Sequence, residues 1–208
     1  MSEIKSGLRS ILSIPRIYDF WQALLGGKSA RKQIIDDHVR PSKGMRLLDI
    51  GCGTAEILDL LPEHIDYIGF DASEEYIKHA KQRYGNRGHF YREHVSSAIL
   101  EDIEKVDLVM ASGILHHLQD EEVITLARLA HDALRPSGRF LTIDPALEYG
   151  QSAISRFLIL RDRGQNVRPA DGYRRLLEEK QPWNEIRVEV RHDLLFLPYT
   201  HAIIECRK

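Results

Sequence analysis

Cysteine is scarce in this sequence: the 208-residue chain has two, Cys52 and Cys206. Two thiols and no Cys-x-x-Cys pair give neither a disulfide framework nor a metal clamp, so a reducing compartment is expected. Long apolar runs are missing as well. No stretch reaches the roughly 18 apolar residues of a membrane span, and the opening MSEIKSGLRSILSIP has no uninterrupted apolar segment fit for secretion. The expected location is therefore cytoplasmic, with no membrane span. An excess of one charge is absent too. With 29 basic and 31 acidic residues the formal net charge is -2, which argues against a dedicated nucleic-acid partner. Ten histidines occur without HxxxH, HExxH or Cys/His clustering, so no metal site is expected. What remains is an ordinary balance, 43% hydrophobic and 29% charged, enough for one domain with a proper core and a small-molecule partner.

From Met45 to Asp144 strand and helix signals alternate, which predicts βαβ units on a parallel sheet. Strands are expected at 45–50, 65–70, 88–93, 106–111 and 138–143, and helices at 73–84 and 120–134. Ser73 is a plausible N-cap, and Val123, Leu126, Ala127, Ala130 and Leu134 recur at helical spacing. Residues 1–43 read as a helical cap, with helices at 16–25 and 29–40; Tyr18 and Trp21 form either a lid or plain core. Residues 145–182 read as an insertion with helices near 152–161 and 171–180, expected to cover an acceptor. Two last strands, near 184–192 and 199–206 within 183–208, are expected to form a hairpin on the sheet. All of 1–208 is taken as a single domain with its core at 44–144.

The stretch LLDIGCGTAEILDLLP, residues 47–62, is a strand that runs into a glycine turn and then into a helical pattern. Such a turn lets backbone and free N–H groups approach a nucleotide-like ligand closely. The dinucleotide fingerprint GxGxxG would need glycine at position 56, where Glu56 stands, and no GxxxxGK[ST] phosphate loop occurs. Two acids beside the turn, Asp49 and Glu56, suit a cationic ligand better. Cys52, inside the turn, reads mainly as a small packing residue.

LLDIGCGTA resembles the first motif of class I S-adenosylmethionine-dependent methyltransferases, with Ala55 where a last glycine commonly sits; alanine is tolerable there if that backbone is already helical. The resemblance extends in order through YIGFDAS, VDLVMASGILHHL and LRPSGRFLTID, about residues 43–145. It implies an α/β, Rossmann-like, seven-stranded and mostly parallel sheet with helices on both faces and a C-terminal antiparallel strand. It also implies S-adenosylmethionine as cofactor, held by Asp49, Gly51, Cys52 and Gly53, with Asp71 on the ribose hydroxyls, Ala72 against the adenine, and Ala111 and Ser112 beside the methionine end. Many relatives have an Asp after the third strand; here FYREHV puts His94 there, so adenine recognition falls to backbone, His94 or Val95. SRFLILRDRGQNVRP and PYTHAIIEC are similar to a bacterial subset of the methyltransferase type 11/12 sort, which implies a small or lipid- or sugar-linked acceptor.

In open α/β sheets ligands lie beyond the carboxyl ends of the strands, which puts residues 112–117 and Asp144 toward an acceptor. His116 and His117 are the candidate bases, since imidazole titrates near neutrality, and His117 is preferred. Asp144 could orient a histidine, hold an acceptor hydroxyl or cap the loop before Pro145. Six arginines against two acids in 151–175 hint at an anionic acceptor. Two other readings stay open, a non-catalytic S-adenosylmethionine-binding protein and a nicotinamide-dependent oxidoreductase. The oligomeric state is left open.

Overall fold

The computed structural model describes residues 27–161 and 164–208. The helix expected at 16–25, with its Tyr18 and Trp21 lid, lies outside them. Seven strands form one sheet: β1 Arg46–Ile50, β2 Asp66–Phe70, β3 His89–Tyr91, β4 Val106–Ser112, β5 Leu134–Pro145, β6 Glu185–Arg191 and β7 His201–Arg207. Their order is β3-β2-β1-β4-β5-β7-β6. Strands β1 to β5 pair in parallel, and β7 runs antiparallel to both β5 and β6. The chain leaves β1 toward β2 on one side and later returns to place β4 on the other. This reversal opens a crevice beyond the carboxyl ends of β1 and β4, the place where such sheets bind ligands.

Adjacent residues along each strand point to opposite faces, and both faces are apolar because helices cover both. Leu47, Tyr67, Leu108, Leu141 and Ile203 face a core shared with α1 (Gly27–Ile34) and α2 (Glu74–Tyr84), which contribute Ala30, Ile34, Ile77 and Ala80. Leu48, Ile68, Val109, Phe140 and Ile204 face the other, under α3 (Ser97–Glu101), α4 (Asp120–Ala133) and α6 (Ala170–Glu178). Helix α5 (Ala153–Ile159) follows β5. Ser73 caps α2 as expected, its hydroxyl accepting from the Tyr76 N–H at 3.3 Å.

Four local readings change. The helix expected over 29–40 is α1 followed by a wider turn, Ile35–Val39, and ends on a left-handed Arg40. No α-helix follows the glycine turn; a single 3-10 turn, Glu56–Asp59, does. Pro62 lacks an N–H and disfavours helical backbone at Leu61, so no second turn has room to form. Helix α4 stops at Ala133, because Leu134 is extended and pairs with Val106, so β5 begins earlier than position 138. β3 spans only three residues and stops well before His94.

Candidate active site

The glycine turn hangs from β2 by its backbone. The N–H groups of Gly51 and Cys52 both donate to the Phe70 carbonyl, at 2.7 and 3.0 Å. Gly51 sits at φ +75°, and a Cβ there would lie 2.1 Å from Ile114 Cδ1, so the position needs glycine on both counts. Gly53 is also left-handed, φ +55°, but a Cβ there would meet open space, so this side of the turn can take a ligand. Asp71, just after β2, accepts from the Gly53 N–H at 3.0 Å and from the Ser73 N–H at 2.8 Å. One carboxylate thus locks the turn to the start of α2. Ala72, between them, is exposed.

Asp49 lies beneath the turn at 3% exposure and accepts from the Tyr67 hydroxyl at 2.6 Å. Burial pushes its pKa up to about 7, the Tyr67 hydrogen bond pulls it down, and the charge of Asp71 adds to the rise. A cation placed above it would return it to the ionised form. Tyr67 went unnoticed in the sequence, where it reads as one more apolar strand residue. Cys52 packs on the strand below: a Cβ on Gly69 would fall 2.8 Å from its sulfur, and burial raises the thiol pKa.

Two expectations at the turn are corrected. Ala55 is not helical but left-handed, φ 57° and ψ 30°, which is the reason a glycine commonly stands there. Glu56 is not left for a cationic ligand. Arg31 of α1 holds it at 2.5 Å and Arg83 of α2 at 3.6 Å. Asp49 is then the acid under the turn that no Lys or Arg of the described residues neutralises in an ion pair.

On the side where adenine is expected, Tyr91 stacks on Phe70 with ring centroids 4.9 Å apart. His94 is exposed, and Val95 packs on the core ahead of the Ser96 cap of α3. On the other side, Ala111 is buried and Ser112 is exposed at the end of β4. The following Gly113 turns at φ +69°, its N–H donating to the Ile143 carbonyl of β5 at 2.8 Å.

The 3-10 turn Leu115–His117 carries both candidate histidines, and it is His116 that meets Asp144. Asp144 Oδ1 lies 2.7 Å from His116 Nδ1 and also accepts from the His116 backbone N–H at 3.1 Å. Both residues are buried, at 5% and 2% exposure, and Asp144 Oδ2 is buried with no hydrogen-bond partner among the described residues. His117 is half-buried, its ring 4.1 Å from that of His116. Segment 164–168 lies over this turn: a Cβ on Gly164 would be 2.0 Å from His116 Cδ2, and the Asn166 N–H donates to the His116 carbonyl at 3.0 Å.

The arginines of 151–175 are largely engaged within the chain. Arg168 pairs with Asp120, Arg174 with Asp171 and Glu178, Arg175 with Asp171, and Arg161 lies over the Phe157 ring at 3.6 Å. Arg163 lies outside the described residues. Among the described residues no group of three or more His, Cys, Asp or Glu side chains could hold a metal ion, and no helix is long and apolar enough to cross a membrane.

A seven-stranded sheet of this order, a left-handed glycine turn at its crevice and an acid closing β2 define the class I methyltransferase architecture. A protein-family model described as a methyltransferase domain matches residues 48–140. The chain is 32% identical over 128 residues to a ubiquinone biosynthesis O-methyltransferase of Brucella anthropi, covering 59% of this chain and 51% of that protein. It is 31% identical over 102 residues to the Ruegeria pomeroyi protein of the same name, covering 48% and 40%. The chain thus spans about half the length of the curated relatives it matches. A solved SAM-dependent methyltransferase from Archaeoglobus fulgidus shares the fold at a TM-score of 0.68 and 22% identity, over 92% of this chain and 99% of that one. Residues 48–140 are thus similar to the methyltransferase domain family, and the fold is that of the class I S-adenosylmethionine-dependent methyltransferases. S-adenosylmethionine is the cofactor of that family, and the open side of Gly53, the anchored Asp71 carboxylate and the buried Asp49 fit it.

Proposed function

We propose that the protein transfers a methyl group from S-adenosylmethionine to a hydroxyl of a small-molecule or lipid- or sugar-linked acceptor. The observation that carries this reading is the Gly51–Gly53 turn tied to Asp71 across the crevice between β1 and β4. Asp71 would hold the ribose hydroxyls and Asp49 the positive methionine end, with Ala72, Tyr91 and the His94–Val95 segment near the adenine. The sulfonium of the bound cofactor makes its methyl carbon electrophilic, so the chain's main task is alignment of an acceptor and exclusion of water. Positioning of this kind is worth about 7–11 kcal/mol in favourable intramolecular cases.

The names of the curated relatives favour oxygen as the receiving atom. A hydroxyl must lose its proton as it is methylated, and a base held by a carboxylate supplies that need. His116, with Nδ1 toward Asp144, takes that role in our reading: a proton on Nδ1 leaves the other ring nitrogen as the acceptor. His117 lies beside it, its ring tilted by 39°, and shapes the pocket. An anionic acceptor is less favoured than the six arginines alone imply, since those engaged with Asp120, Asp171 and Glu178 are already neutralised.

Calorimetric titration tests the reading. S-adenosylhomocysteine is expected to bind and NAD is not; no binding of the former ends the proposal. An acceptor screen that detects S-adenosylhomocysteine release separates an enzyme from a binding protein. Phenolic, carboxylated and phosphorylated small molecules belong in the first panel.

A further inference from the structure

Arg168 stands out by how completely its side chain is used. A guanidinium has five N–H donors, and here every one has an acceptor. Nε and Nη2 reach Asp120 Oδ1 at 3.0 and 2.5 Å, Nη1 reaches the carbonyls of Leu115 and Asn166 at 3.2 and 2.8 Å, and Nη2 reaches the Leu118 carbonyl at 2.9 Å. Leu115 and Leu118 bracket the short turn that presents His116 and His117. A turn of three residues has little intrinsic persistence, because 3-10 geometry is poor and few hydrogen bonds repay its ordering. The clamp supplies what the turn lacks.

The backbone of the same residue reaches the other half of the pair. The Arg168 carbonyl accepts from the Leu147 N–H at 3.2 Å, and its N–H donates to the Tyr173 hydroxyl at 3.2 Å, which in turn donates to the Pro145 carbonyl at 3.1 Å. Pro145 is the residue after Asp144. One residue therefore ties the turn after β4, which holds the imidazole, to the end of β5, which holds the carboxylate.

We propose that Arg168 is a positioning residue that keeps the His116 ring in register with Asp144. The proposal rests on the methyl-transfer reading only for its effect on turnover. A guanidinium that merely stabilised the fold would lower the melting temperature when replaced and leave the imidazole as it was. One that positions the pair changes the ring itself.

The experiment is proton–nitrogen NMR of the histidine rings in 15N-labelled full-length protein, comparing wild type with Arg168→Met and with His116→Gln for assignment. In wild type, His116 is expected to show one Nδ1-protonated tautomer whose N–H is protected from solvent exchange. In Arg168→Met that signal is expected to be lost or averaged between tautomers, with S-adenosylhomocysteine affinity unchanged. On an acceptor from the screen, kcat is expected to fall by about 10²-fold, the cost of a misplacement of roughly 1 Å, with KM retained. A wild-type ring signal in a folded Arg168→Met protein overturns the proposal. If that variant does not fold, Tyr173→Phe removes the hydroxyl that joins Arg168 to Pro145 and is expected to broaden the same signal; an unchanged signal there overturns the proposal equally. Failure of the wild type to bind S-adenosylhomocysteine removes the methyl-transfer reading, and the ring spectrum still decides the role of Arg168.

Discussion

The two sides of the crevice are built differently. The side proposed for the cofactor is made of backbone and neighbouring chain: Gly51, Gly53, Asp71 and Ser73 lie within 23 positions of one another and lock together through N–H groups and one carboxylate. The side proposed for the acceptor is made of side chains gathered from afar, His116, Asp144 and Arg168, and depends on a segment that follows β5. The first is a rigid cradle fixed by local geometry. The second is an assembled contact, whose parts can vary with the acceptor while the cradle stays.

The sharpest way to break this contrast is at His116. Replacement by Ala is expected to lower turnover by about 10²–10⁴-fold, the usual worth of a positioned base, with S-adenosylhomocysteine affinity intact by calorimetry. Full activity would remove the base, and parallel loss of cofactor binding would show that the two sides are one unit. The reverse experiment is Asp71→Ala, which takes the anchor from the Gly53 N–H and the proposed partner from the ribose. With two charge-assisted hydrogen bonds of about 1.5–3 kcal/mol each at stake, the dissociation constant for S-adenosylhomocysteine should rise by about 10²-fold or more.

A third substitution separates stability from binding. The carboxyl of Asp49 has a pKa of about 7 in the folded protein against an ordinary 3.8, so the folded state binds its proton more tightly than the unfolded chain does. Its contribution to stability is fully present below pH ~4 and is lost as pH rises to about 7. Asp49→Asn is therefore expected to melt higher than wild type at pH 8, by up to about 4 kcal/mol at roughly 1.4 per pKa unit, with the gap closing toward pH 4. It should at the same time bind S-adenosylhomocysteine more weakly. In wild type, cofactor binding near pH 6.5 should release protons, which calorimetry in buffers of different ionisation heat detects.

The smallest expected effect is at Ala55. Glycine there relieves a left-handed backbone worth about 1–2 kcal/mol, yet gives up a buried methyl worth about 0.8 kcal/mol. The net gain in thermal melting should stay within about 1 kcal/mol.

What the sequence made legible follows the same contrast. All seven strands and the glycine turn were readable, because alternation of apolar strands with capped helices is local and repeated, as Ser73 and the run from Val123 to Ala130 illustrate. The left-handed state of Ala55 was not readable, since one residue's backbone angle is set by the closure of the turn around it. Nor was the engagement of Glu56, which is neutralised by Arg31 and Arg83 from two separate helices. Both histidines were visible as candidates, but the choice between them depends on which ring the end of β5 approaches. Arg168 looked like one charge among six because its carbonyl partners have no side-chain signature.

Strand β7 has a consequence for how the molecule comes together. Residues 201–207 lie between β5 and β6, and Ile203, Ile204 and Cys206 are buried there, so β6 has no place in the sheet until β7 has arrived. During synthesis the flank of β5 must therefore wait, bare and apolar, until a segment more than fifty residues further on has left the ribosome. A pause or truncation before position 201 would leave a sticky sheet edge exposed at the moment when self-association competes hardest with folding.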